Sequence, residues 1–167
     1  MDGLFEIISV QTFWRILLFI HSVMAVALLM AITLQTVAVF MPAPQTQAAG
    51  GFRSPFRPIA PASYVPLVVI LYVPTFLLGL WVYIKYRTYV RIPMEQLGHW
   101  WTVGSFEFKE HIVSMGIALL PAYWYFWRYP SAGQGNERKW LTLFLLVTVW
   151  YAFLSGHTAN DFRGVGS

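Results

Sequence analysis

FWRILLFIHSVMAVALLMAITLQTVAVFM, residues 13–41, is an unbroken apolar run whose only charged residue is Arg15. A helix crosses the hydrocarbon core of a bilayer with about 20 mostly apolar residues. This run exceeds that length, so it is expected to tilt or to project beyond the bilayer. Three further runs follow. One covers about residues 64–86, with Pro66 in its first turn and Pro74 in its middle, where a kink is expected. Another covers about 108–127, with Pro121 near its end, and the last covers about 140–156 and is expected to stop at Gly156 or shortly after. Trp14, Tyr64, Trp81, Trp100, Trp101, Trp124, Trp127 and Trp140 crowd the ends of these runs, the pattern of an interfacial belt.

Composition agrees. Hydrophobic residues make up 57% of the 167 and charged residues 11%, against about 25% charged in a soluble domain. The expected fold is therefore all-α: one integral-membrane four-helix bundle spanning 1–167, since helices satisfy every backbone group inside the bilayer. Residues 1–12, MDGLFEIISVQT, set Leu4, Phe5, Ile7 and Ile8 against Asp2 and Glu6, and suit a short interfacial helix rather than a secretory signal. The stretch 42–63, with Pro42, Pro44, Pro55, Pro58 and Pro61, reads as an extended connection, and 87–107 as a loop ending in the surface-seeking QLGHWW.

Four spans put both termini on one side, side A. Arg15, Lys85, Arg87, Arg91, Lys109 and Arg163 fall there, against Arg53, Arg57, Arg128, Arg138 and Lys139 on side B. That near balance leans only slightly toward side A in the cytoplasm of a bacterial inner membrane. No basic cluster of nucleic-acid type is present, so no nucleic-acid partner is expected. The chain has no Cys, which excludes disulfides, thiolate metal sites, iron–sulfur clusters and covalent c-type haem. Nucleotide-loop, zinc-protease and serine-hydrolase motifs are also missing.

The chemistry then rests on histidine. His21, His99, His111 and His157 all fall toward side A. His21 lies about eight residues into the first span, about 12 Å deep at 1.5 Å per residue. His111 is one turn into the third span and His157 in the last turn of the fourth. An ionisable residue inside a span is costly and points first to function. Two imidazoles on different helices can grip a haem, which makes His21 with His111 or His157 candidate axial ligands. Arg15, Lys109 and Arg163 are placed to pair with haem propionates. Ser22 and Ala25, Ser114 and Gly116, and Ser155 and Gly156 are small neighbours that leave room for a macrocycle. A second constellation competes. Glu107 with His111, and His157 with Asp161, are four apart, so each pair shares a helix face. With His21 they can form a site for a copper, zinc or iron ion. The bland reading is that Glu107, Lys109 and Glu110 are ordinary charges at a helix start, with acids favoured there by the macrodipole.

Four short spans with single histidines near one face of the first, third and fourth helices, ending in FLSGHT at 153–158, resemble small membrane b-type cytochromes and the CopD-like membrane proteins. The first resemblance implies non-covalent haem b and electron exchange with quinone or a partner subunit. The second implies copper handling. It carries over to His21, His111 and His157 alone. With no nucleophile–base set and little extramembrane mass, a non-catalytic subunit of a membrane oxidoreductase complex is the leading expectation. A purely structural subunit of a respiratory or photosynthetic assembly, its aromatic faces packed on other membrane subunits, and a small copper-handling transporter are the alternatives.

Overall fold

The computed structural model describes residues 9–41, 60–131 and 133–164, with side chains of the last helix described through Thr158. The expected interfacial helix at the N-terminus and most of the proline-rich connection lie outside the described residues. Every described element is helical. The long helices are α1 (Val10–Phe40) and α2 (Val65–Tyr86), which a 3-10 turn at Pro61–Tyr64 introduces. A π-helical turn, Arg87–Arg91, leads into the short α3 (Ile92–Gln96), followed by α4 (Trp100–Arg128) and α5 (Gly135–Gly164).

Three helical stretches, Val10–Phe40, Pro61–Gln96 and Gly135–Thr158, are long and apolar enough to cross a membrane. The 29 residues of α4 are also long enough, but Glu107, Lys109 and Glu110 interrupt its first half. Large apolar side chains face outward on every long helix, among them Phe19, Ile70, Phe108 and Trp140. A helix that is apolar all round is not a surface helix of a soluble protein; these outer faces are compatible with lipid contact.

Ser9 caps α1, its hydroxyl accepting from the Thr12 amide at 3.2 Å. Two helices exceed the spans read from sequence. α4 starts at Trp100 rather than near Phe108, and α5 runs through Gly156 to Gly164. A glycine inside a helix costs only about 1 kcal/mol, and the residues beyond Gly156 are compatible with helix. The 87–107 stretch is also helical rather than a loop. Val90, Met94, Val103 and Phe106 recur at helical spacing and pack on Tyr86 as a small second core. Gly98 turns the chain into α4 with φ 76°, a left-handed conformation that glycine adopts without steric cost.

The helices pack in a ring, α1 against α2, α2 against α4, α4 against α5 and α5 against α1. The half toward side B is solid. Leu28, Leu29, Ile32, Val65, Val68, Leu120, Tyr123 and Leu145 form its core. Three polar contacts lie within it: Tyr123 donates to Gln35 Oε1, Gln35 Nε2 donates to the Pro61 carbonyl at 3.2 Å, and Trp127 Nε1 donates to Thr142 Oγ1 at 3.2 Å. Tyr72 ends this packed half. Its ring lies in a notch that α4 makes by having glycine at 116, and its hydroxyl donates to the Val113 carbonyl at 3.1 Å.

A Cβ on Gly116 would stand 2.0 Å from the Tyr72 hydroxyl oxygen and 2.9 Å from its Cζ. Gly116→Ala is therefore expected to lower stability by about 1–3 kcal/mol, the usual cost of overpacking. Thermal unfolding in detergent reads it as a lowered Tm. Tyr72→Phe in the Gly116→Ala background should recover part of the loss, because it removes the closest clashing atom.

A candidate ligand cavity between the four helices

Beyond Tyr72, toward side A, the helices enclose a cavity of about 490 Å³. α1 contributes Leu18, His21, Ser22, Ala25, Val26 and Leu28, and α2 contributes Tyr72, Thr75, Phe76, Gly79 and Val82. α4 adds Phe106, Lys109, Glu110 and Val113, and α5 adds Val149, Ala152, Phe153, Gly156 and His157. Such a mostly apolar hollow with a few convergent polar groups is the usual form of a small-molecule site.

His21 is half-buried on the α1 wall. Its Nδ1 is enclosed and has no hydrogen-bond partner, and the Thr75 backbone lies beside the ring. Gly79 makes this possible, since a Cβ there would lie 3.3 Å from His21 Cε1. With Nδ1 enclosed, Nε2 is the nitrogen that a cavity ligand can reach. Lys109 and Glu110 form an ion pair at 2.8 Å, their side chains 14% and 22% exposed. The Lys109 ammonium also lies 3.6 Å from the centre of the Phe106 ring, within the range of a cation–π contact. His157, on the neighbouring α5 wall, is exposed and stacked on Phe153 with ring centres 6.1 Å apart.

The cavity thus unites three residues singled out from the sequence, His21, Lys109 and His157. It also holds Ser22, Ala25 and Gly156 of the small neighbours. The others lie elsewhere. His111 is exposed on the far side of α4, its Nδ1 2.9 Å from the Glu107 carbonyl of its own helix. Glu107 is drawn the other way, to Arg91 Nη1 at 2.6 Å, and Arg91 Nε donates in turn to Glu95 at 2.7 Å. The pair read as a chelating face is therefore divided between two environments. Gly116 holds Tyr72 rather than space, and Ser114 bonds the Glu110 carbonyl. Arg15 is exposed and does not line the cavity. His99 is exposed at the N-cap of α4. Asp161 and Arg163 continue α5, but their side chains lie outside the described residues. Among the described residues no three His, Asp or Glu side chains converge as a metal cage. No protein-family model, curated protein or solved structure matches the chain.

Sequence reasoning missed Tyr72, Thr75 and Gly79, and took Glu110 for an ordinary interfacial charge. Spacing does contain one clue. Phe106, Lys109, Glu110 and Val113 sit three or four apart, so they share a stripe of α4, and two charges on an otherwise apolar stripe belong in a lined interior.

Removing one member of a buried ion pair strands the other, which costs about 3–5 kcal/mol. Partial exposure places Glu110→Gln at the low end, about 3 kcal/mol. Lys109→Met with Glu110→Gln should restore most of the stability. Thermal unfolding of the two variants against the wild type checks this.

Proposed function

We propose that the chain is an integral-membrane four-helix bundle that holds haem b in this cavity and serves as an electron-transfer subunit, exchanging electrons with quinone or a neighbouring membrane subunit. α4 is the fourth span in this reading: it packs between α2 and α5, and Lys109 and Glu110 line the interior. Charged residues inside membranes take that position. Both termini lie on side A, and the slight excess of basic residues there favours the cytoplasmic face of a bacterial inner membrane.

The observation that carries the haem reading is His21: an imidazole on the cavity wall, its Nδ1 enclosed beside the Thr75 backbone, its ring given room by Gly79. A ligating histidine binds through one nitrogen and gives the other N–H to a carbonyl or carboxylate, and the Thr75 backbone is beside this ring. His157 is the candidate second ligand on α5. Lys109 supplies positive charge inside the cavity for a propionate, and Ala25, Ala152 and Gly156 leave its walls low. A haem needs one or two protein ligands, whereas a structural zinc site needs four and a catalytic one three. With two histidines in the cavity, the observations favour haem over a bare copper, zinc or iron ion. Bound haem would supply reversible one-electron exchange. The protein's own part is to orient His21, to exclude water with apolar walls, and to balance charge with the Lys109–Glu110 pair.

The alternative, a subunit that only anchors its neighbours, draws on the exposed rings of Trp100, Trp101 and Trp140, a residue type enriched at interfaces.

Protein expressed with ample haem and purified in mild detergent is expected to show a Soret band and b-type reduced-minus-oxidised bands. His21→Ala should abolish them. His157→Ala should change the ligation spectrum, and His111→Ala should leave it as in the wild type. A haem-replete preparation without a Soret band, or a His21→Ala spectrum identical to the wild type, overturns the reading.

A further inference from the structure

Among the described residues, three of the four seams between helices carry ties at the level of the cavity. α1 and α2 meet through Phe13 and Trp81, ring centres 6.5 Å apart, and through Lys85 5.6 Å above Trp14. α2 and the π-helical turn after it meet α4 through Tyr86 stacked on Phe106 at 3.7 Å and through the Arg91–Glu107 ion pair. α4 and α5 meet through the Tyr151 hydroxyl, which donates to the Ser105 carbonyl at 3.0 Å, and through the edge of Phe108 on Tyr151. Among the described residues, the tie across the α1–α5 seam is deeper, where Trp150 Nε1 donates to Thr33 Oγ1 at 3.1 Å.

Those two residues mark the facing edges of α1 and α5. Positions three, seven and eleven apart return to the same helix face. Toward side A the α1 edge therefore continues through Val26 and Ser22, and the α5 edge through Phe153 and His157. All four line the cavity. Val26 is nevertheless 46% exposed, and Ser22 is exposed with its hydroxyl turned back to the Leu18 carbonyl at 2.8 Å. A residue that lines a cavity and faces outward at once is on the rim of an opening, and this rim is on the flank of the bundle.

We propose that the cavity is entered sideways from the bilayer, through a portal in the α1–α5 seam bounded by Val26 and Ser22 on one side and Phe153 on the other. Its occupant is a membrane-dissolved amphiphile whose polar end reaches Lys109 and His21 while its apolar part faces the portal. The inference rests on the membrane placement proposed above, and haem b, with an apolar ring and two carboxylates, belongs to this ligand class. The polar groups fit that orientation. Lys109 comes from α4, which stands across the ring from α1, so an anionic head meets it only after passing the rim.

Because the chain has no native cysteine, a single thiol reports on access. Ala152→Cys puts one on the cavity wall of α5. In phosphatidylcholine vesicles it should react with the membrane-permeant N-ethylmaleimide at least tenfold faster than with a charged methanethiosulfonate, each rate normalised to that reagent's rate with a free thiol. Adding Val26→Trp should slow N-ethylmaleimide at least tenfold. Adding Leu77→Trp, a lipid-facing control on α2 that does not line the cavity, should leave the rate unchanged. Val26→Phe gives a milder plug if the tryptophan lowers thermal stability. Equal slowing by the Val26 and Leu77 variants overturns the portal. Faster normalised labelling by the charged reagent also overturns it, and means a mouth open to water. A second arm uses haemin alone, dissolved in the vesicles, and follows growth of the Soret band; Val26→Trp should slow it at least tenfold. If wild type takes up no haemin, the haem reading fails while the thiol rates still judge the portal.

Discussion

The interior of this bundle is divided by one contact: the ring of Tyr72 set into α4 where Gly116 has no side chain, its hydroxyl held by the Val113 carbonyl. On one side of it the apolar side chains interlock from Leu28 to Leu145. On the other side the helices stay apart and leave the cavity. Small residues let helix backbones approach closely in membranes. Here the same device lets a large ring in and uses it as a floor. The carbonyl that Tyr72 meets belongs to Val113, which itself lines the cavity, so the floor and one wall are joined.

A bundle with an apolar exterior must still satisfy its hydroxyls. Ser22, Thr36, Thr88, Ser114, Thr142, Ser155 and Thr158 each donate to a carbonyl one turn back on their own helix. These bonds need no neighbour, so such residues can sit on outer faces at little cost. Lys109, Glu110, Arg91, Glu95 and Glu107 pair with one another, and the pairs divide into two groups, one in the cavity and one at the α2–α4 connection. These ion pairs lie toward side A, while the packed core toward side B holds neutral groups such as Gln35 and Tyr123.

The all-helical class was legible in the sequence because apolar runs of such length leave few other structures. The runs 13–41 and 64–86 locate α1 and α2 to within a few residues. The start of α4 was not legible, because Glu107, Lys109 and Glu110 look like the end of a loop when hydropathy is averaged. Their charges are absorbed by partners such as Arg91 that lie elsewhere in the chain. His21 was legible by depth alone. The different fates of His111 and His157 were not, since both sit near one end of a span. Which face of a helix turns inward is decided by packing on its neighbours, and Phe106 rather than His111 points at the centre of the bundle. Gly79 and Gly116 gave no sign of their roles, for a glycine's use lies in what occupies the space beside it.

The π-helical turn Arg87–Arg91 has a consequence for how this chain can vary. Each residue of an α-helix advances about 100° around the axis, at 3.6 per turn, and a wider turn takes up one extra residue without breaking the helix. Losing a residue there would rotate all that follows by about a quarter turn or more. Met94 would leave the small core it shares with Tyr86 and Phe106, and Glu95 would swing away from the bundle. The connection between α2 and α4 therefore tolerates substitution far more readily than a change of length. Related chains should differ in the residues of this turn while keeping their number.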